Sequence, residues 1–197
     1  MKHITCIFFG KSGAGKGTQA DLLLKYLAKH DPETPALYVE TGAQFREFAK
    51  TSPTFTAEKV KEVMTSGGLM PAFLPIWTWT QFFIDRVTGK EHMVMDGLSR
   101  QPAEAPILDS ALQFYGRKGT VVFLLDVHHI EAKKRLLARG RLDDKHHEID
   151  KRLSWFDSHV MQAVSYFEKV PYYTFVRING DQPVEKVHAD IVKALGI

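Results

Sequence analysis

The sequence predicts an α/β fold in which a five-stranded parallel sheet is covered by helices on both faces, giving three layers in the order α/β/α. Segments of strand length alternate with segments of helical period along the whole chain, as a parallel sheet with crossover helices requires. The segment 120–126 is apolar almost throughout, which is typical of a strand buried on both faces. A chain of 197 residues can form one such domain with a small insertion.

The elements follow from apolar period, with breaks at glycine and proline. In chain order we predict a strand at 4–9, a helix at 18–27, a strand at 36–40, helices at 43–50, 57–64 and 75–87, a strand at 92–96, a helix at 105–115, a strand at 120–126, helices at 130–138 and 148–168, a strand at 173–178 and a helix at 184–195. Thr41 and Gly42 are expected to end the second strand. The aromatic residues of the helix at 75–87 are expected to lie in the core.

The turn after the first strand has the spacing of a phosphate-binding loop. Residues 10–18 read Gly-Lys-Ser-Gly-Ala-Gly-Lys-Gly-Thr, the G-x-x-x-x-G-K pattern with its threonine one place later than in the plain form. The glycines let backbone N–H groups turn toward phosphate oxygens, and the following helix adds partial positive charge. Lys16 is expected to reach the β- and γ-phosphates, and Thr18 to offer a hydroxyl near Mg²⁺. The competing interpretation, a plain strand-to-helix turn with a solvated lysine, is disfavoured because spacing, lysine and context agree.

The composition limits the kinds of ligand and partner that the protein is expected to bind. The formal net charge is +3, and there is neither a block of like charges nor a basic run interleaved with aromatic residues. This mild excess suits small anionic ligands and predicts no nucleic-acid partner. Cys6 is the single cysteine and is expected to be a small buried residue outside any internal disulfide. No segment resembles a signal peptide or a membrane span, so we expect a soluble monomer of the cytoplasm with no membrane partner.

With Gln19 added to this loop, the chain resembles the adenylate kinases and related nucleoside monophosphate kinases over nearly its whole length. Gly-Lys-Gly-Thr-Gln at 15–19 is the most specific part of the resemblance. Further similar segments are Thr41-Gly42 with Arg46, Gly67-x-Leu69-Met70-Pro71, Asp96-Gly97-Leu98-Ser99-Arg100, and the arginines between 135 and 152. The resemblance implies a P-loop fold, ATP and Mg²⁺ as bound groups, and direct phosphoryl transfer to a nucleoside monophosphate, with AMP first.

The resemblance also implies a role for each matched residue. The expected catalytic residues are Lys16, Arg100, Arg141 and Arg152. The expected ATP-binding residues are Gly13, Ala14, Gly15, Lys16, Gly17, Thr18, Arg135, Arg139 and Gln182. The expected monophosphate-binding residues are Thr41, Gly42, Arg46, Gly67, Met70, Gly97, Arg100, Glu104, Arg141 and Arg152. Arginine suits both sites because its planar fork binds phosphate oxygens in pairs and stays charged.

A single domain is expected over 1–197, organised as the family implies. The core would comprise 1–40, 72–138 and 148–197, with a helical monophosphate-binding insertion at 41–71 and a short lid at 139–147. Thr18 and Asp96 are assigned to the Mg²⁺ shell, Asp96 through water. Asp143 and Asp144 are expected to order the lid by pairing with arginines, or one of them to cap the next helix.

Adjacent histidines at 128–129 and 146–147 are expected to be solvated. Neighbouring residues of a helix point to different faces, so these pairs make poor metal sites.

Two features depart from the family pattern. Only Gly140 separates Arg139 from Arg141, so the lid is very short, which reduces water exclusion and allows hydrolytic leakage. Glu104 stands where the adenylate-specific members carry a glutamine. A glutamine amide donates to adenine N1 and accepts from the N6 amine, whereas an ionised glutamate only accepts and suits guanine better. Gln101 is an alternative base contact.

Three other functions remain open at this point. The chain could phosphorylate GMP, CMP or UMP in place of AMP. It could be a small-metabolite kinase of the same class, which would not need Thr41, Arg46 and Arg100 together. It could also be an ATP-binding interaction module without transferase activity.

Overall fold

The computed structural model describes residues 3–140 and 146–197. Within these ranges five strands form one sheet in the order β2-β3-β1-β4-β5, and every neighbouring pair is parallel. The strands are β1 Thr5–Gly10, β2 Ala36–Glu40, β3 His92–Asp96, β4 Val121–Asp126 and β5 Thr174–Asn179. The predicted five-stranded parallel sheet is therefore confirmed, and the carboxyl ends of all its strands lie along one edge.

Helices cover both faces of this sheet. They are α1 Lys16–His30, α2 Thr41–Thr51, α3 Phe55–Thr65, α4 Phe73–Arg86, α5 Ala105–Phe114, α6 His129–Arg139, α7 His146–Trp155, α8 Met161–Lys169 and α9 Val184–Leu195. In the described residues, no helix is both long and apolar enough to cross a membrane.

The first strand shows why the molecule has three layers. All six of its residues are buried. Cys6 and Phe8 belong to the apolar cluster on one face of the sheet, while Ile7 and Phe9 belong to the cluster on the other face. Because side chains alternate between faces along a strand, a strand that is buried at every position requires a helical layer on each side.

The chain between β2 and α4 folds onto a small core of its own. Phe45 of α2 and Val60 of α3 pack with Met70 and Leu74, and the four form a cluster separate from the two beside the sheet. The second strand ends before Thr41 as predicted, but the helix predicted from residue 43 begins two residues earlier, at Thr41. The first N–H groups of a helix lack intrahelical partners, so a glycine in the first turn sacrifices little hydrogen bonding there.

The long helix predicted at 148–168 is interrupted by a π-helical segment, Phe156–Val160, between α7 and α8. A π turn accommodates one extra residue and so rotates the helix faces on either side of it. Before the segment, Trp155 lines the cavity described below. After it, Val164 and Phe167 lie in the core beneath the sheet.

The aromatic helix α4 follows its prediction only in part. Trp79 and Phe83 are fully buried in the core, but Trp77 is half exposed and rests edge-on against Phe48 of α2. Trp77 thus packs α4 against α2.

Candidate functional site

The loop between β1 and α1 is built to receive an anion. Gly15 has φ +90° and precedes the first residue of α1, and a Cβ placed on it would meet nothing within 4 Å. Open space therefore lies in front of a helix N-terminus, where backbone N–H groups point outward. The ammonium of Lys16 donates to the carbonyl oxygens of Gly10 at 2.9 Å and Lys11 at 3.1 Å. These are weak partners that phosphate oxygens could replace.

The surroundings of Lys16 alter its ionisation. Burial lowers the pKa of this ammonium to about 8, although the carboxylate of Asp96 acts in the opposite direction, and Arg100 and Arg139 add to the lowering. A phosphate group that binds beside Lys16 would raise this pKa again, because its negative charge stabilises the protonated ammonium.

This loop opens into a cavity of about 500 Å³ at the carboxyl ends of β1, β2 and β3. The position agrees with the rule that ligands of open parallel sheets bind beyond the carboxyl ends of the strands. The predicted site residues that line the cavity are Gly13, Gly15, Lys16, Gly17, Thr18, Thr41, Gly42, Arg46, Gly67, Met70, Asp96, Gly97, Arg100, Glu104, Arg135, Arg139 and Arg152. The same cavity is thus lined by residues predicted to bind ATP and by residues predicted to bind the monophosphate.

Of the predicted site residues that the structure describes, Ala14 and Gln182 are not in that lining. The side chain of Ala14 is buried in the core, and its backbone N–H donates to the carbonyl of Lys11. Gln182 donates to the carbonyl of Asn179 and to the carboxylate of Asp190, so its amide is engaged beside the last helix. Arg141 lies outside the described residues, as do Asp143, Asp144 and most of the predicted lid.

Two carboxylates stand side by side at the cavity floor. Glu40 and Asp96 are register partners at the ends of β2 and β3, and both line the cavity. Asp96 is only 6% exposed, and burial raises the pKa of its carboxyl although Lys16 and Arg100 oppose the shift. Sequence reasoning missed Glu40. Its place as the last residue of a strand next to β3 could have indicated it, given the correct strand order.

The arginines at the cavity already have protein partners. Arg46 Nη2 donates to Glu40 Oε1 at 2.7 Å, and Arg100 Nε donates to the carbonyl of Gly97 at 2.9 Å. Arg135 bonds Glu131 through Nε at 2.9 Å and the carbonyl of Gly180 through Nη2 at 3.1 Å.

Several basic side chains therefore converge on one volume. Arg139 and the buried Arg152 also line it. Among the described lining residues, the lysine and the arginines outnumber the acids, which are Asp21, Glu40, Asp96 and Glu104. This excess of positive charge can accommodate the several negative charges of phosphate groups.

Helix α7 closes one side of the cavity against the segment that follows α3. Trp155 Nε1 donates to the carbonyl of Gly67 at 3.1 Å, and Lys151 Nζ donates to the carbonyl of Ser66 at 3.2 Å. Gly67 has φ +62°, and a Cβ placed there would lie 2.7 Å from the carbonyl oxygen of Glu148. Only glycine permits this approach. No pattern in the sequence indicates Trp155 as a wall of the site.

The two candidate base contacts differ in position. Glu104 lines the cavity and is 1% exposed. The side chain of Gln101 donates to the carbonyl of Met70, and Gln101 is not among the lining residues. Gln101 therefore holds the lining residue Met70 in place, whereas Glu104 itself lines the cavity.

The first of the histidine pairs, His128 and His129, is not among the residues that line the cavity. His128 and His129 are exposed, and the side chains of His146 and His147 lie outside the described part of the structure. Within the described residues, no group of three or more histidine, cysteine or acidic side chains could by itself hold a metal ion.

Comparisons with known proteins agree with this arrangement. The family model described as "Adenylate kinase" matches residues 8–171. The chain is 32% identical over 190 residues to "Adenylate kinase 1" of Nostoc sp., covering 96% of this chain and 97% of that protein. It is 31% identical over 196 residues to an adenylate kinase of Thermus thermophilus, covering 97% and 96%. An adenylate kinase of Prochlorococcus marinus is 30% identical over 190 residues, covering 96% of each chain.

Proposed function

The chain belongs to the adenylate kinase family, and from this premise we propose that it transfers the γ-phosphoryl group of ATP to AMP, giving two molecules of ADP. The observation that carries the proposal is the shared cavity. Lys16 of the phosphate loop and Arg46 and Arg100 of the predicted acceptor segments line the same hollow. A cavity with phosphate-binding groups from both sets suits two nucleotides placed end to end.

Each part of the lining has a proposed role in binding. The loop 10–18 would hold the donor phosphates through its backbone N–H groups and Lys16, with Arg135 and Arg139 beside them. Arg46 and Arg100 would hold the phosphate of the acceptor, and Thr41, Gly67, Met70 and Glu104 would surround its base. Arg152 would lie at the junction, with Arg141 added from the lid.

The chemistry proposed is direct in-line transfer. An oxygen of the acceptor phosphate attacks the γ-phosphorus of ATP, and the bond from that phosphorus to the oxygen bridging the β-phosphate breaks. No side-chain nucleophile is needed, since the protein contributes alignment and charge. Lys16 and the arginines would offset the negative charge on the transferred group, and each such donor is worth about 3 kcal/mol in comparable sites.

The residues at the loop fit a Mg²⁺ ion that arrives with the donor. Asp96 Oδ2 lies 3.7 Å from a Cβ placed on Gly17, so its carboxylate stands beside the start of α1, and Thr18 lines the same space. Mg²⁺ keeps several waters and uses one or two protein carboxylates with substrate phosphates, so no protein cage is required. We propose that Thr18 and Asp96 hold it, Asp96 through water. When bound, the ion would neutralise charge on the donor phosphates.

The setting of the enzyme is part of the proposal. We propose that the enzyme acts in nucleotide biosynthesis as a monomer in the cytoplasm, since residues of one chain line the cavity and the reaction uses free nucleotides. Light scattering of the purified protein over a range of concentrations would test the monomeric state.

A panel of acceptors tests the activity. Purified protein would receive ATP and Mg²⁺ with AMP, GMP, CMP or UMP, and chromatography would measure the diphosphate formed, with a reaction lacking acceptor as the control for ATP hydrolysis. Diphosphate formation with AMP supports the proposal, and the short lid predicts measurable hydrolysis without acceptor. Turnover of another monophosphate alone would assign a different kinase. Binding of ATP without transfer to any acceptor would assign an interaction module.

A further inference from the structure

Glu104 leaves one oxygen without a partner at the acceptor end of the cavity. Its Oε1 accepts a hydrogen bond from the backbone N–H of Gln101 at 3.0 Å. Its Oε2 is buried and has no hydrogen-bond partner among the described residues, and the same is true of the hydroxyl of Thr41. Both residues line the cavity. Because a buried polar atom without a partner costs about 1–3 kcal/mol, a ligand that supplies the missing bonds is expected here.

Burial and the charge of Arg100 shift the pKa of Glu104 in opposite directions, and Arg152 of α7 lines the same cavity. Burial raises the pKa of the Glu104 carboxyl to about 7, against the opposing effects of the Gln101 N–H and of Arg100. On β2 and α2, Glu40 and Arg46 line the same cavity. The lining residues contributed by the segment 67–70 and by α4 are uncharged. The carboxyl is therefore close to balance between its acid and its ionised form at neutral pH.

The two forms of this carboxyl offer opposite hydrogen-bonding patterns. An ionised carboxylate only accepts, so it presents a lone pair to N1 of adenine, which is also an acceptor. A neutral carboxylic acid has one O–H donor and one carbonyl acceptor, the same pair that a glutamine amide presents. The Gln101 N–H already bonds Oε1, which leaves Oε2 as the oxygen that carries the proton.

We propose that Glu104 recognises the acceptor base as a neutral carboxylic acid, with Oε2–H donating to adenine N1 and Oε1 accepting from the N6 amine. The inference rests on the proposed function, since it concerns the acceptor in that reaction. It makes AMP recognition dependent on a proton, and loss of that proton converts the site into one that rejects adenine.

The variant Glu104→Gln presents the same donor and acceptor as the neutral acid but cannot ionise. Comparing it with the natural protein therefore isolates the ionisation of Glu104 from all others. We would measure kcat/KM for AMP at saturating ATP and Mg²⁺ between about pH 5.5 and 9 in the natural protein and the variant. The ratio of variant to natural protein is expected to be flat below about pH 7 and to rise about tenfold per pH unit above it, because kcat/KM follows ionisations of the free enzyme. KM for ATP is expected to be the same in both. Glu58→Gln, at an exposed position of α3, is the matched control and should give a ratio that does not change with pH.

A second measurement needs no turnover. Calorimetry of AMP binding at about pH 8, in buffers of different ionisation enthalpy, counts the protons taken up by the natural protein and by Glu104→Gln. The AMP phosphate is already doubly ionised at this pH, since its second pKa is about 6. Lys16 is present in both proteins and its proton uptake cancels in the comparison, so the natural protein is expected to take up close to one proton per AMP more than the variant.

The results that would overturn the role of Glu104 differ from the result that would overturn the proposed function. A ratio that is constant with pH overturns the role of Glu104 while leaving adenylate kinase activity in place, and so does a proton uptake that is the same in the natural protein and in Glu104→Gln. Turnover of GMP that exceeds that of AMP at every pH also overturns it. If neither protein transfers phosphate to AMP at any pH, the proposed function itself fails.

Discussion

At the scale of single residues, Lys16 is the position on which donor binding depends. Its ammonium lies in the loop at the cavity, held by two carbonyl oxygens. In Lys16→Met the charge is lost and the shape largely kept, so kcat is expected to fall by about 10²–10³, the typical cost of removing one fixed donor to transition-state charge. Steady-state assays of ADP formation measure this. Lys25→Met, at an exposed position of the same helix, is the control and should keep its activity. Full turnover by Lys16→Met would remove the lysine from its proposed role.

The sequence was informative about residues whose spacing has a local cause. The phosphate loop needs glycines and a lysine at fixed separations, so Lys16 and Gly15 could be predicted to share one site. Glu40 could not, because its place beside Asp96 depends on β2 pairing with β3 in one particular register. The burial of Glu104 likewise depends on segments far apart in the chain, and its side chain gives no local sign of it.

At the scale of elements, the contact between α7 and the segment after α3 relies on Gly67. An alanine there would combine a left-handed backbone conformation with a clash against the carbonyl of Glu148. Gly89 is the control, since it has φ +84° and a Cβ placed on it would meet nothing within 4 Å. Gly89→Ala is expected to lose about 1–2 kcal/mol of unfolding free energy from backbone strain alone. Gly67→Ala is expected to lose more and also to raise KM for AMP.

Urea denaturation and steady-state kinetics of both variants make this comparison. Emission from Trp155 should shift to longer wavelength in Gly67→Ala, because the indole N–H would lose its carbonyl partner to water. Equal losses of stability in the two variants, with KM for AMP unchanged in both, would contradict the importance of the contact.

A second junction of elements is made by Asp109 of α5. Its carboxylate accepts hydrogen bonds from the hydroxyls of Tyr166, Tyr172 and Tyr173 and from Gln113, and it is 5% exposed. Burial alone would raise the pKa of this carboxyl, but the hydrogen bonds outweigh it and lower the pKa below the ordinary value. The carboxylate thus ties α5 to α8 and to the chain just before β5.

Asp109→Asn tests the stabilising effect of this junction and its sign with pH. A depressed pKa means that the ionised form stabilises the fold above about pH 4, the ordinary range for aspartate, and that the contribution disappears as pH falls through the folded pKa. The variant is expected to be about 2 kcal/mol less stable at neutral pH, with the difference closing as the pH falls below about 4 and through the folded pKa. Urea denaturation at several pH values measures it. Asp85→Asn, at the exposed end of α4, is the control with little change. A gap that stays constant throughout the acid range would contradict the assignment.

Elements with a strong, uninterrupted period were the most predictable. The strand at 92–96 and the helix at 184–195 have the predicted bounds. The π segment Phe156–Val160 escaped prediction because an extra residue in a helix leaves polar and apolar residues still close to a helical period. The first turn of α2 escaped because threonine and glycine are poor helix formers in general, and only their position at the helix start makes them acceptable.

At the scale of the whole molecule, Cys6 reports on the integrity of the sheet. It is the single cysteine of the sequence and is fully buried in the strand that leads into the phosphate loop. Burial raises the pKa of its thiol, so a thiol reagent should react only when the sheet opens. A non-hydrolysable ATP analogue at about 100 times its Kd is expected to slow labelling about 100-fold, since a ligand of the folded state stabilises it by about 2.7 kcal/mol at that concentration.

The time course of absorbance with a chromogenic thiol reagent would measure the labelling rate. Labelling in concentrated urea should be fast with or without the analogue, which controls for an effect of the analogue on the reagent. A labelling rate in buffer that the analogue leaves unchanged would separate the opening of the sheet from ligand binding at the loop.

The salt bridge between Glu40 and Arg46 means that an anion can bind this guanidinium only by displacing the carboxylate of Glu40. A weakly held cellular anion such as chloride must displace a carboxylate 2.7 Å from the guanidinium, whereas a doubly charged phosphate brings enough attraction to do so. After transfer, Glu40 can return to the arginine as the product leaves. An internal carboxylate of this kind lowers the affinity for the bound nucleotide and speeds its dissociation, which benefits an enzyme that must release its product in every turnover.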